Sequence, residues 1–255
     1  MAFVMVASLV PTGKSAFVRG ASWAAACLLA ALMGGCSSDY AALRDWSQQA
    51  REAVLPGDVP RGVQVVPPDA ARRQPGSRDD AVLVLQKAAS GWLAVLVALA
   101  DDATPQPDGG VLRGQAERVA AFDTAGAAAV AGIGDAIDYV AAQGWSAGQL
   151  AYAVDFADPH FQAVMAALMR QTRALAVAEA APQGDPAIGR MPARLAILMR
   201  VAEGHALLKQ RERLLAQGDT SRTLRAEASE LRRLMILAAA RPAATGGASA
   251  APRVQ

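Results

Sequence analysis

From residue 39 onwards this 255-residue chain is written in long runs of Ala, Leu, Arg, Glu and Gln, with few clusters of β-branched residues. Those residue types lose little on entering a helix, so the pattern favours helix almost throughout and leaves little from which to build a sheet. The expected fold class is therefore all-α: a helical bundle of five to seven helices, with a Pro-rich N-terminal strap and a disordered C-terminal tail.

A short first helix is expected over about 39–54, because Tyr40, Leu43, Trp46 and Ala50 fall on one face at spacings of three and four. The next 23 residues hold Pro56, Pro60, Pro67, Pro68 and Pro75. Repeated Pro disallows helix and favours extended chain, so this stretch reads as a tether. Ser77, with Asp79 and Asp80 behind it, then starts a strong helix running to about Ala100, its first-turn acids favoured by the helix dipole. Residues 91–100, GWLAVLVALA, are apolar all round. A membrane span is one reading. Gln86, Lys87 and Ser90 interrupt it, however, and Asp pairs flank both ends, which fits a helix buried in a bundle better.

One long helix is expected over 111–143, with an almost entirely small-residue centre at 126–134 that lets backbones approach closely and kink near Gly132 and Gly134. Gly144 suits a left-handed cap. Ser146 and Gln149 form a capping-box pair, and Trp145 can staple to Leu150. Asp158-Pro159 is expected to open a further helix, Asp as N-cap and Pro at the first position, carrying Phe161, Val164, Met165, Leu168 and Leu175 inward. Residues 182–192 read as a loop. Two closing helices follow, at about 193–217 and from 219–221 to before Pro242. In the last, Leu224, Ala228, Leu231, Met235 and Ala238 make a coiled-coil-like seam. The tail from Pro242 is expected to be disordered.

The N-terminal segment is of another kind. Lys14 and Arg19 precede an apolar run of about a dozen residues, which is shorter than the roughly 20 a spanning helix needs and has the length of a secretory signal core. It ends in Met33-Gly34-Gly35-Cys36. That order resembles a bacterial lipoprotein signal peptide with its lipobox, Met33 standing where the family usually has Leu. The resemblance covers the leader alone and implies cleavage before Cys36, acyl chains on the Cys36 sulfur and amine, and no cofactor beyond that covalent lipid. Ser37, rather than Asp, favours the outer over the inner membrane in Gram-negative lipoproteins. The competing reading is a non-lipidated leader or an anchor helix. On the lipoprotein reading the chain divides into a signal peptide (1–35), a lipidated N-terminus with short helix and tether (36–77), a helical bundle (78–241) and a tail (242–255). Cys27 would be removed with the leader and Cys36 acylated, leaving no thiol for a disulfide, so the body must be held by its core.

Without Lys14 and Arg19 the remaining chain carries 23 basic and 23 acidic residues. The charge is segregated: residues 101–189 hold 11 acidic and 4 basic residues, and residues 190–255 hold 5 acidic and 12 basic. An acidic hairpin packed against a basic one would explain this. A basic face made by Arg222, Arg225, Arg232 and Arg233, meeting a partner or lipid headgroups, would also. Nucleic acid is not expected for an exported chain with few aromatics and no binding motif.

Motifs for chemistry are sparse. His160 and His205 are the two histidines. His160 reads as a surface or capping residue, and His205 as a hydrogen-bonded, partly buried one rather than a ligand or base. Glu203 and His205 are two apart, a spacing that splays side chains on a helix and is not that of a di-iron bundle. Met199 and His205 as axial haem ligands, and Gly132-Ile-Gly134 as part of a dinucleotide site, are both poor fits. No nucleophile, zinc or phosphate-loop motif is present. If a small polar site exists, residues 155–160, DFADPH, are where to look, with Asp155, Asp158 and His160 at one helix junction. No metal or catalytic residue is assigned. The reading that follows is a membrane-anchored, periplasm-facing, non-catalytic structural or adaptor lipoprotein of an envelope or secretion assembly, with an envelope protein as partner. The alternative is a lipoprotein that binds a small apolar ligand in a bundle cavity lined by the helix around Trp92.

Overall fold

The helix expected to be buried on all sides is the axis of the fold. In the computed structural model, which describes residues 40–55, 76–106, 109–183 and 187–240, seven α-helices follow one another: α1 Ala41–Val54, α2 Arg78–Ala100, α3 Gly109–Ala120, α4 Thr124–Ala142, α5 Leu150–Gln183, α6 Ala187–Gln210 and α7 Gly218–Ala240. No strand occurs among the described residues, and the architecture is an all-α bundle. The leader with Met33, Gly34, Gly35 and Cys36, most of the Pro-rich stretch and the tail from 242 lie outside the described residues.

Helix α2 packs against α1, α3, α4 and α5. Val84, Leu85, Ala88, Ala89, Trp92, Leu93, Leu96 and Leu99 are wholly removed from solvent, which accounts for an apolar composition without an exposed stripe. Its start is as expected. The Ser77 hydroxyl accepts the Asp80 N–H at 3.2 Å, and the Asp80 carboxylate takes the Gly76 N–H at 3.1 Å and the Arg118 guanidinium of α3. Its end is a Schellman turn. Ala103 N–H reaches Ala98 C=O at 2.8 Å and Asp102 N–H reaches Leu99 C=O at 3.1 Å, with Asp102 in the left-handed region at φ 56°. The Asp102 carboxylate accepts the Ala147 N–H at 3.1 Å, which ties this turn to the α4–α5 junction.

Four helix boundaries are corrected. The long helix at 111–143 is two helices, because Asp123 caps a new one: its Oδ1 accepts the Gly126 N–H at 2.8 Å, and Oδ2 holds Arg170 of α5 at 2.6 Å. Asp158-Pro159 does not start a helix. Helix α5 begins at Leu150, after a single 3₁₀ turn at Ala147–Gln149, and runs through Pro159. The Pro costs about 3 kcal/mol in a helix interior, and complete burial of Ala153, Val154, Ala157, Phe161, Val164 and Met165 on both sides of it offsets that loss. The loop expected at 182–192 is helical over most of its length, since α5 reaches Gln183 and α6 begins at Ala187 with Pro192 inside it; residues 184–186 lie outside the described residues. Helix α6 stops at Gln210 rather than 217, and a 3₁₀ turn at Glu212–Leu214 leads into α7.

Helix α1, expected to travel with the tether, belongs to the bundle. Leu43, Trp46, Ala50 and Val54 are at most 1% exposed, and α1 packs against α2, α6 and α7. The Trp46 indole lies on Gly204 of α6 so closely that a Cβ there would collide with the ring. The seam of α7 is as read from its spacing: Leu224, Ala228 and Leu231 are buried, while Met235 and Ala238 pack at its edge. By length and composition α2 and α4 could each cross a membrane; here α2 is enclosed by four neighbours and Gly132 of α4 backs onto His160 of α5.

Candidate functional site

One line of polar groups crosses the core around His205. His205 on α6 is fully buried among apolar side chains, and each ring nitrogen has a partner. Trp92 Nε1 on α2 donates to Nε2 at 3.0 Å, and Nδ1 lies 2.8 Å from Asp158 Oδ1 on α5. An indole N–H can only donate, so Nε2 carries the lone pair and Nδ1 the proton: the imidazole is neutral and donates to Asp158. Phe161 stacks on the ring with centroids 4.2 Å apart. Gln162 donates to Asp158 Oδ1 at 3.2 Å and to Ala202 C=O at 3.1 Å, closing the line against α6.

The electrostatics agree with that tautomer. Burial lowers the His205 pKa, against the opposing pull of Asp158. Burial alone would raise the Asp158 pKa, but the hydrogen bonds from His205 and Gln162 outweigh it and hold the carboxyl below the usual carboxylate range. An Asp–His pair is the orienting half of a nucleophile-activating triad. Here the nitrogen that would serve a nucleophile is held by Trp92 and shut off from water. The arrangement fixes α2, α5 and α6 to one another, and its chemistry is structural.

The residues singled out from sequence are not brought together. Asp158 does meet a histidine, but it is His205, 47 residues away, and not His160. The His160 ring fills the space over Gly132 of α4. Asp155 pairs with Lys209. Met199 is 51% exposed and His205 is occupied on both sides, so the two do not form an axial pair. Among the described residues no three His, Cys, Asp or Glu side chains converge to hold a metal.

The four arginines of α7 also separate. Arg222 pairs with Asp219 and Arg233 with Glu230, each within the helix. Arg232 Nε donates to Gln49 Oε1 of α1 at 3.0 Å, while Arg225 is exposed. Arg222 and Arg232 are ten residues apart, about 15 Å along a helix. Charge compensation runs mostly inside each segment rather than between an acidic and a basic hairpin. Arg113 meets Asp135 and Asp138, Arg170 meets Asp123, and Arg200 meets Glu203 and Glu227. Lys209–Asp155 is the ion pair among the described residues that joins the two segments.

Trp92 itself is 0% exposed and is not among the residues lining the space that its helix borders. On another face of α2, however, a groove of about 570 Å³ opens between α1, α2 and α3, lined among others by Arg51, Lys87, Ser90, Ala94, Val111 and Gln115. None of the described residues lining it is acidic, and the buried Gln115 Oε1 has no hydrogen-bond partner.

Sequence reasoning did not find the hydrogen-bonding roles of Trp92, Gln162 and Arg194. The first two had a local signal, a polar atom at a position facing an apolar core. Arg194, whose guanidinium donates to the last carbonyls of α1, Ala53 at 2.5 Å and Val54 at 2.6 Å, had none. Comparison with protein-family models, with curated proteins and with solved structures finds no match for this chain.

Proposed function

We propose that this protein is a non-catalytic adaptor of the bacterial envelope, a lipoprotein held in the outer membrane by acylated Cys36 and facing the periplasm. The leader supports the anchor: Lys14 and Arg19, the short apolar core, and Met33-Gly34-Gly35-Cys36 in order. The observation that carries the adaptor role is on α7. Ile236 is 61% and Leu237 51% exposed, each four residues, about one helical turn, after an exposed arginine, Arg232 and Arg233. Adjacent large aliphatics left uncovered beside arginines have the composition of a protein-binding patch.

Two variants test the two halves. Cys36→Ser should abolish fatty-acid labelling and move the protein into the soluble fraction; retention in the membrane sinks the anchor. Ile236→Ser with Leu237→Ser should remove the crosslinked products formed by the native protein in intact envelopes while leaving the thermal midpoint in place. Unchanged crosslinks sink the adaptor role.

The groove beside α2 favours a second reading, a carrier of a small, largely apolar ligand. Its volume is in the range of ligand sites, and Arg51 and Lys87 at its wall suit an anionic head. Fluorescent fatty-acid titration of the native protein against Ala94→Trp, which fills the groove, is the test. Equal binding by both, or none by either, removes this reading.

A further inference from the structure

We infer that the end of the bundle at which α1 begins rests on the lipid surface, seated there by Tyr139, Trp145, Tyr152 and Phe156. This rests on the reading of Cys36 as the membrane anchor and adds to it a face and an orientation.

Side-chain pairs define that end. Arg44 near the start of α1 meets Asp101 after the end of α2 at 3.3 Å. Asp102, next in the chain, holds the Ala147 N–H at the α4–α5 junction. Asp155, in the second turn of α5, meets Lys209 at the end of α6, and Arg211 after α6 reaches Thr223 near the start of α7 at 3.4 Å. The starts of α1, α5 and α7 and the ends of α2, α4 and α6 therefore share one end. Cys36 precedes Tyr40 by four residues. A fully extended chain of that length spans at most about 14 Å, so an anchor on Cys36 brings this end close to the bilayer.

The same end carries the uncovered aromatic surface. Among the described residues the exposed aromatics are Tyr139 (45%), Tyr152 (68%) and Phe156 (43%), and all three are here. Tyr139 meets Trp145 edge-on at 5.5 Å and Phe156 at 5.2 Å, and Tyr152 stands one turn from Phe156 on the same helix. Rings with an apolar body and a polar tip are the groups that settle at the headgroup level of a membrane. Among the described residues the opposite end has no exposed aromatic. Its exposed large apolar residues, Val177, Ile236 and Leu237, are aliphatic.

Charge does not drive the contact. Arg44, Lys209 and Arg222 at this end are paired with Asp101, Asp155, Glu212 and Asp219. Arg211 and Arg213, the second 90% exposed and reaching Glu212 only at 4.0 Å, are matched in number by Asp45 and Asp102 at the same end. Docking should therefore depend on the rings and little on the charge of the lipid.

The test uses the mature, lipidated protein in vesicles and the fluorescence of Trp145. Trp46 and Trp92 are 1% and 0% exposed, whereas Trp145 is half-buried, so lipid-borne quencher reports on Trp145. Brominated phosphatidylcholine should quench the emission, Trp145→Phe should abolish the quenching, and Tyr152→Ser with Phe156→Ser should at least halve it without moving the thermal midpoint. Adding phosphatidylglycerol should leave the quenching unchanged. Emission indifferent to brominated lipid, in protein that still floats with the vesicles, overturns the docking and leaves the anchor standing. Quenching that needs anionic lipid overturns the aromatic basis. An N-terminal peptide whose mass lacks diacylglycerol on Cys36 overturns the anchor and the docking together.

Discussion

The two ends of the bundle secure α1 by different physics. Where α1 ends, the Arg194 guanidinium reaches across from α6 and donates to the carbonyls of Ala53 and Val54, residues that are 2% and 0% exposed. Burial pulls the Arg194 pKa down to about 10, which still leaves it charged at neutral pH. Where α1 begins, Arg44 meets Asp45 and Asp101 in the open, with 39%, 57% and 45% of the three side chains exposed. Both ends use an arginine. Only at the first does the arginine satisfy groups that water cannot reach, and that difference decides what each contributes.

Arg194→Met should therefore have the largest effect. It keeps the aliphatic bulk but leaves the last carbonyls of a helix buried without donors, a loss of about 3 kcal/mol for charge-assisted bonds and orphaned acceptors together. Urea unfolding at neutral pH measures it. A change below about 1 kcal/mol would mean that water satisfies these carbonyls and that the two ends are alike.

Between the ends, Trp92→Phe keeps a ring in the core and removes one N–H. His205 Nε2 then has no donor at a site with no solvent access, which should cost about 2 kcal/mol. The same line predicts a pH dependence with a definite sign. The folded-state pKa of His205 is lowered, so the unfolded chain takes up a proton that the folded chain refuses. That contribution to stability is complete above the unfolded value of about 6.5 and is lost as pH falls through the folded value. Asp158, also lowered, acts in the same direction below its unfolded value of about 3.9. Denaturation midpoints should fall on acidification from pH 7, and His205→Gln should flatten the upper part of that slope. A midpoint rising between pH 7 and 5 would reverse the tautomer and the role of Trp92.

What could be read in advance follows the same division between local and distant partners. The Ser77–Asp80 cap, the α1 face through Trp46 and the α7 seam are written within a few residues of one another, and each stands as the pattern implies. The break at Asp123 was not legible, because small and apolar residues continue across it and its second partner, Arg170, is 47 residues away. DFADPH drew attention to Asp158 for the right reason, an acid near an aromatic and a histidine. Its carboxylate, however, is turned to His205 and Gln162, so it caps nothing and the helix passes through Pro159. A capping signal is a statement about a free carboxylate. Where tertiary structure has already engaged that group, the signal fails.

The smallest effect is expected at Arg44, and its smallness is what the comparison requires. Its guanidinium pKa is raised, chiefly by the hydrogen bond to Asp45 and then by that to Asp101, so the pairing is favourable. Both acids are nonetheless open to water, and exposed pairs of this kind contribute well under about 1 kcal/mol after screening and side-chain entropy. Arg44→Ala also introduces the best helix former into the first turn of α1, which returns a few tenths of a kcal/mol. Unfolding of this variant should be indistinguishable from the native protein in high salt and only slightly weaker in low salt. A loss that rivals Arg194→Met and survives high salt would show that the Arg44–Asp101 contact is buried in solution. That outcome would require the α1 start and the α2 turn to be covered, and a covered end could not be the one that lies against a membrane.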